Sequence, residues 1–336
     1  MRQVMQRVMR SKVMLATALL ASVTVSGLFT GHPEASWPLA QIDGYLLNIV
    51  VLIGINITLA VSLNLVNGYT GQFSLGHAGF MAVGAYASAA LTQVKGRAVL
   101  AAMQGIGLGA PSVVFGVALL FGGLVAALFG LAVGLPSLRL KGDYLAIVTL
   151  GFGEIIRVVI QNTDMLGGAR GLPGIPTHTT LAWTFAVAAL AVYISRALVR
   201  STYGRGFLAV RDDETAAEAM GVSATKYKVT AFVAAAFFAG LAGGLYAHFI
   251  GYITPEGFNF MKSVDVVVMV ILGGMGSTFG VVVSAILLTG MNEVLRQAEQ
   301  YRMIASSLLL IVLMILRPQG LIGDPVAWLR ARRMRQ

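Results

Sequence analysis

Long apolar runs separated by short polar segments dominate this chain of 336 residues. Several of the runs approach or exceed the roughly 20 residues that an α-helix needs to cross a bilayer. They are continuous rather than alternating with a period of two, which disfavours a β-barrel. The pattern predicts an all-α polytopic membrane protein with apolar segments at 13–30, 45–66, 78–94, 111–135, 144–161, 181–199, 228–250, 264–290 and 303–316.

The segment 264–290 carries the run Gly-Gly-Met-Gly at its centre, at 273–276. Glycine lowers helix stability, so this run favours a break. We therefore predict two half-helices that enter and leave the membrane on the same side. Non-helical backbone at that depth requires surrounding protein or a water-filled cavity. The fold would then have about eight transmembrane helices plus one broken, re-entrant pair; one long uninterrupted helix is the alternative.

Basic residues predict the orientation. Most of the 24 Lys and Arg residues lie before residue 13, at Arg139 and Lys141, between 196 and 228, and after 316, whereas the loop 31–44 has none. Cytoplasmic loops carry such an excess. Both termini are therefore expected in the cytoplasm, with 201–227 as a cytoplasmic loop and 317–336 as a basic tail of one domain, 1–336. The re-entrant pair is what keeps that tail inside.

The N-terminus has two interpretations. Four basic residues precede the apolar run that begins at Val13, as in a signal peptide. No convincing small-residue cleavage site follows, and further spans come later. We interpret the run as a retained first helix.

Composition supports lipid contact. Hydrophobic residues make up 57% of the chain and charged residues 11%, against roughly 25% charged in a soluble domain. The 40 glycines suit closely packed membrane helices. The net charge of +10 is confined to loops, which disfavours nucleic-acid binding, and the lack of cysteine excludes disulfides and thiolate metal sites.

Catalytic motifs are missing. The run 273–278 has glycines and hydroxyls but lacks the lysine of a phosphate-binding loop. None of the four histidines starts an H-E-x-x-H motif, and no cluster of metal ligands stands out. We expect no catalytic residue, no metal, no cofactor and no ATPase site in this chain.

A second glycine-rich stretch, at 67–79, lies between two spans and carries little charge. A plain cytoplasmic loop is one interpretation, and partial burial in the membrane is the one we favour. Glycine-interrupted segments in both halves of a transporter indicate the substrate path. The predicted pathway residues are Asn67, Gly71, Gln72, Ser74, Gly76, His77, Glu154, Gly273, Gly274 and Gly276.

Two of these positions are ambiguous. Glu154 and Arg157 are three residues apart on one helix face, where they can pair. They form either a polar patch in the pathway or a structural pair between helices. His77 contacts either substrate or the backbone of its own turn.

The segment 200–228 predicts a short surface helix of about two turns. Asp212 or Asp213 can cap its first turn, and Gly221 suits a left-handed stop after it. The helix is either a solvated surface element or a docking element for a partner.

Thr215-Ala216-Ala217, with Gly221 four residues later, resembles the E-A-A-x-x-x-G loop of ABC importer permeases. Thr215 replaces the leading Glu, and no Ile-x-Leu-Pro follows, as is typical of branched-chain amino-acid permeases. Three further stretches resemble the LivM-type subunit of that family: N-L-V-N-G-Y-T-G-Q-F-S-L-G-H-A-G-F at 64–80, L-R-L-K-G-D-Y-L-A-I-V-T-L at 138–150 and L-R-P-Q-G at 316–320. The resemblance covers roughly 45–325.

The resemblance implies an ABC importer permease fold in the bacterial inner membrane. It implies three kinds of partner: a second permease subunit of the LivH type, two ATP-binding subunits and a periplasmic substrate-binding protein. It also implies that the ATP-binding subunits contact a coupling helix formed by Arg211, Asp212, Glu214, Thr215, Ala216, Ala217, Glu218 and Gly221. The expected activity is ATP-driven uptake of leucine, isoleucine and valine by alternating access.

Other functions stay open at this point. Related systems carry urea or short amides. A passive channel would need no coupling helix, and an ion-coupled secondary transporter would usually require acidic residues at mid-membrane, for which Glu154 is the candidate.

Overall fold

The computed structural model of the protein describes residues 44–94, 110–137 and 142–295, together with positions 308, 311, 320 and 321. The predicted first helix at 13–30 lies outside the described residues, as do Arg139 and Lys141. So do the segment 303–316 and the tail 317–336, apart from those single positions.

Ten α-helices occur in the described residues. They are α1 Gly44–Asn64, α2 His77–Val94, α3 Ala110–Ser137, α4 Asp143–Gln161, α5 Leu181–Arg200, α6 Thr202–Asp212, α7 Glu214–Ala219, α8 Ala224–Ile250, α9 Phe260–Gly273 and α10 Thr278–Val294. A π-helical turn, Leu65–Tyr69, extends α1. Two short 3₁₀ turns follow α4, and another precedes α9. The described ranges contain no β-strand, and one isolated β-bridge joins Leu172 and Ile253.

The described part of the chain is thus all-helical. Five helical stretches are long and apolar enough to cross a membrane: Gly44–Tyr69, Ser112–Ser137, Tyr144–Gln161, Leu181–Arg200 and Ala224–Ile250. Helix α10 is apolar but shorter. The eight predicted crossings and the single-domain arrangement therefore stay predictions.

Helices α2, α3 and α8 pack closely against one another. A Cβ on Gly84 of α2 would lie only 2.2 Å from Gly240 Cα of α8, so the two backbones are in direct contact there. Phe80 and Phe232 meet edge to face, with ring centroids 5.4 Å apart. Close backbone contact of this kind is how membrane helices gain packing energy without a hydrophobic driving force.

Apolar side chains also cover much of the outside. Leu124 and Leu128 on α3 and Val159 on α4 are each more than half exposed. Large apolar patches on a protein surface mark contact with lipid or another protein, which fits a membrane protein.

The helices run between two ends. The lower end carries 201–223 and the turn 274–277, which meet at Arg211 and Gly276. The upper end carries 162–180 and 251–259, joined by a hydrogen bond from Leu172 N to Ile253 O of 2.8 Å.

The segment 264–290 is not one helix. Helix α9 ends at Gly273 and α10 begins at Thr278, and the two lie antiparallel, since Ser284 Oγ donates to Met269 O. The alternative of one long helix is therefore wrong. The two helices span about 21 and 25 Å at 1.5 Å per residue, so the turn returns the chain to the end from which α9 started.

Candidate functional site

Helix α7 has a side-chain cap at its N-terminus and a glycine stop after its C-terminus. The Asp213 carboxylate accepts hydrogen bonds from Thr215 N at 2.9 Å and Ala216 N at 3.0 Å. Of the two candidate caps, Asp213 is therefore the one used, whereas Asp212 pairs with Arg211 at 3.2 Å. Gly221, with φ of +81°, ends the helix in the left-handed conformation that glycine adopts without strain.

Helix α7 is also fixed to the start of α8. Ala217 is buried against Val210 and Ala224. Glu214 Oε2 accepts a hydrogen bond from Lys228 Nζ at 2.7 Å, and the lysine side chain is only 6% exposed. A force applied to α7 therefore acts directly on α8.

The outer face of α7 is open. Thr215, Ala216, Glu218 and Ala219 are exposed, and the neighbouring Met220 is 84% exposed. Of the residues predicted for coupling, Thr215, Ala216 and Glu218 therefore lie on the open face, and the exposed Ala219 and Met220 beside them were not predicted. Ala217 and Gly221 instead set the position and the end of the helix.

The glycine-rich stretch at 67–79 is largely packed within the protein. After the π-helical turn Leu65–Tyr69 the chain forms neither helix nor strand until His77, and Gln72 and Ser74 are buried while Phe73 is exposed. The stretch ends where a Cβ on Gly76 would lie 2.3 Å from Thr149 O of α4. It is thus a packed part of the molecule rather than a plain solvated loop.

The two glycine-rich stretches meet at the lower end. Asn64 Oδ1 accepts a hydrogen bond from Gly276 N at 2.9 Å, and the Tyr69 hydroxyl lies 2.7 Å from Thr278 Oγ1. A Cβ on Gly68 would be 2.4 Å from Gly276 N. We call this contact, formed by Asn64, Gly68, Tyr69, Gly276 and Thr278, the glycine junction.

Three amide side chains at and beside the junction are unusual. Asn64, Asn67 and Gln72 are at most 5% exposed. Among the residues that the structure describes, Asn64 Nδ2, Asn67 Nδ2 and both polar atoms of the Gln72 amide have no hydrogen-bond partner. Each such group costs about 1–3 kcal/mol. Groups of this kind occur where a water molecule, an ion or another state of the protein satisfies them.

The remaining predicted pathway residues divide between the junction and its surroundings. Gly71 packs on Arg211. Gly274 packs on Gly320, since a Cβ added to Gly320 would lie 2.5 Å from the Cα of Gly274. Gly273 contacts α10. His77 Nε2 lies 2.9 Å from Ser62 Oγ, and both residues are buried, which favours a structural role for this histidine between α1 and α2.

Glu154 lies away from the junction. Its Oε2 accepts from Arg157 Nε at 2.7 Å, and the two side chains remain 35% and 26% exposed. Glu154 also lines a shallow, open depression with an inner space of only about 10 Å³, too small for an amino acid, beside Leu75, Phe258, Asn259 and Ser263.

Sequence reasoning missed several contacts. Asn64, Gly68, Tyr69 and Thr278 were not among the predicted pathway residues, yet they form the junction. Lys228 was counted only as a loop charge. A lysine at the start of an apolar run is a signal of burial that points to a paired carboxylate.

Comparison with known proteins identifies a family and several relatives of this chain. The family described as "Branched-chain amino acid transport system / permease component" matches residues 45–317. The high-affinity branched-chain amino acid transport system permease protein LivM of Salmonella typhimurium is 36% identical over 322 residues, covering 85% of this chain and 72% of that protein. Its Escherichia coli counterpart is 37% identical over the same shares.

Similarity also extends to a second kind of permease. The permease protein LivH of Escherichia coli, from a system with the same description, is 31% identical over 157 residues, covering 45% of this chain and 49% of that protein. No solved structure matches the chain. With a family match over most of its length, this chain belongs to the permease components of branched-chain amino acid transport systems.

Proposed function

We propose that this chain is a permease subunit of an ATP-driven importer that carries leucine, isoleucine and valine across the bacterial inner membrane by alternating access. The observation that carries the proposal is α7, a capped helix with an open outer face that is fixed through Glu214 and Lys228 to α8. Such a helix suits a partner that pushes on it from the cytoplasm.

The partners follow from the same reasoning. The similarity to both LivM and LivH supports a second, homologous permease subunit beside this one. The chain has no phosphate-binding lysine motif, so two ATP-binding subunits would supply the energy. A periplasmic binding protein would deliver the solute at the upper end, and the termini would lie in the cytoplasm.

The pathway would use the apolar character of the helices. A zwitterion with an aliphatic side chain needs a mostly apolar path with few polar groups, and the five membrane-length helices are apolar with few charged residues. ATP-driven closure of the partner subunits would move α7 and α8 as a unit and change the end to which the path opens.

The test uses the exposed face of α7. Glu218→Arg and Met220→Glu should each reduce co-purification of the co-expressed ATP-binding subunits by about tenfold, a change of roughly 1.4 kcal/mol. Uptake of radiolabelled leucine should fall in parallel. Met165→Glu, at an equally exposed methionine (83%) of the upper end, is the matched control and should leave co-purification of the ATP-binding subunits unchanged.

Two results would contradict the proposal. Leucine uptake that persists without the ATP-binding subunits indicates a channel or a secondary transporter. Uptake that urea inhibits while valine does not indicates a permease for urea or short amides.

A further inference from the structure

Arg211 connects the coupling segment to the glycine junction. It is the penultimate residue of α6 and stands two positions before the cap of α7. Its Nη1 donates to Gly68 O at 3.5 Å, and a Cβ on Gly276 would lie 3.4 Å from the same nitrogen. Arg211, at the end of α6, thus contacts both glycine-rich stretches of the junction.

The stem of Arg211 is positioned by packing. A Cβ on Gly71 would lie 2.8 Å from Arg211 Cγ, so the aliphatic part of the side chain lies flat on the extended stretch after Gly68. A side chain at position 71 would displace it. The absence of a side chain at Gly71 is therefore what leaves room for the stem of Arg211 and lets the guanidinium reach the junction.

The contact is weak enough to break. A distance of 3.5 Å is beyond the usual range of about 2.7–3.2 Å for such bonds, and Nε and Nη2 are already directed to Asp212 at 3.3 and 3.2 Å. The buried amides of Asn64 and Asn67 have donors without partners in this arrangement. A second arrangement in which water reaches those donors would offset the loss of the contacts made here.

We propose that Arg211 is a positioning residue that transmits movement of α7 to the glycine junction, and that the junction is the gate at the lower end of the pathway. This inference rests on the proposed function. Asp213 joins α6 directly to α7, so displacement of α7 moves the end of α6. The guanidinium then leaves the Gly68 carbonyl oxygen, and the two glycine-rich stretches separate.

The experiment uses the complete complex reconstituted in vesicles. The chain has no cysteine, so an introduced thiol is the only one in this subunit, and its labelling is read on this subunit after the subunits are separated. Thr278→Cys places it in the junction, where Thr278 is 5% exposed. Its rate of reaction with a small charged thiol reagent should change by at least about fivefold on addition of ATP, the lower range of coupling between sites. Denatured protein gives the rate of full exposure.

Arg211→Ala should abolish that ATP dependence and leucine uptake. Arg211→Lys should restore part of the response, because an ammonium can still donate to one carbonyl oxygen. Arg205→Ala, at an exposed arginine of the same helix, is the matched control and should behave as the unchanged chain.

Several outcomes overturn the inference. Normal uptake and ATP-dependent labelling in Arg211→Ala show that the side chain transmits nothing. Loss of the ATP-binding subunits in that variant shows that Arg211 docks the partner instead. If ATP changes the labelling rate at neither Thr278→Cys nor a second reporter, Thr70→Cys, while Arg211 is unchanged, the junction is not the gate. Failure of the unchanged chain to bind ATP-binding subunits contradicts the proposed function instead.

Discussion

At the scale of single residues, glycine decides where backbones can meet. The close approach at Gly68 involves a main-chain nitrogen, Gly276 N, and the Asn64 side chain, which a Cβ would approach to 2.0 Å. Rotation of a side chain cannot relieve the overlap with the nitrogen. Position 68 therefore tolerates no added carbon without a shift of one of the two stretches.

Gly68→Ala should lower the melting temperature of the purified chain and abolish leucine uptake, because overpacking of this kind costs about 1–3 kcal/mol. Gly151→Ala is the control. A Cβ there meets nothing within 4 Å, and alanine in a helix is favoured over glycine by roughly 0.8–1.0 kcal/mol. Thermal unfolding in detergent measures both, and equal melting temperatures for the two variants would contradict the steric argument.

At the scale of elements, apolar periodicity predicts helices far better than it predicts their neighbours. The helices α1 to α5 begin and end within a few residues of the apolar runs, because burial in lipid or protein requires long apolar helices. Helix α6 was not predicted. Its glycines lower helix propensity, but a Cβ on Gly206 would lie 2.3 Å from the Tyr227 ring, so packing against α8 requires glycine there and overrides propensity.

In the candidate site too, local features could be predicted from the sequence and long-range contacts could not. The cap and the end of α7 depend on neighbouring residues and could be predicted from local sequence. The glycine junction joins Asn64 and Gly276, 212 positions apart. No local pattern specifies which two glycine-rich stretches meet, so the contact with Arg211 required the structure.

Asp213→Ala should loosen α7. A six-residue helix has little stability of its own, and loss of the cap costs about 0.5–2 kcal/mol. We expect faster amide hydrogen exchange at 214–219 and weaker binding of the ATP-binding subunits. Ser223→Ala is the control, since Ser223 precedes α8 without a capping bond from its side chain. Unchanged exchange in Asp213→Ala would show that packing of Ala217 alone holds the helix.

At the scale of the whole molecule, the two ends differ in chemistry. The lower end presents α6 and α7, with exposed Arg205, Arg211 and Lys226, whereas the upper end is built from the loops 162–180 and 251–259. Orientation by basic residues predicts that the lower end lies in the cytoplasm. Because the structure shows which described loops lie at the same end, one labelled position at each end tests the orientation of the described helices.

Met220→Cys and Met165→Cys form a matched pair, since the two methionines are 84% and 83% exposed. In cells that lack the ATP-binding subunits, a membrane-impermeant thiol reagent should label Met165→Cys from outside and Met220→Cys only in inverted vesicles. Labelling of both positions from one side would contradict the predicted orientation.

The contact between the α9–α10 turn and position 320 has a consequence for biosynthesis. Leu321 N donates to Leu272 O at 2.8 Å, so the turn receives this neighbour only after translation has advanced by a further 49 residues. At bacterial or eukaryotic elongation rates that delay is roughly 2–10 s. During it the turn is incomplete, and a ribosome stalled in this interval would leave an inserted but unfinished chain whose exposed turn quality-control proteases can attack.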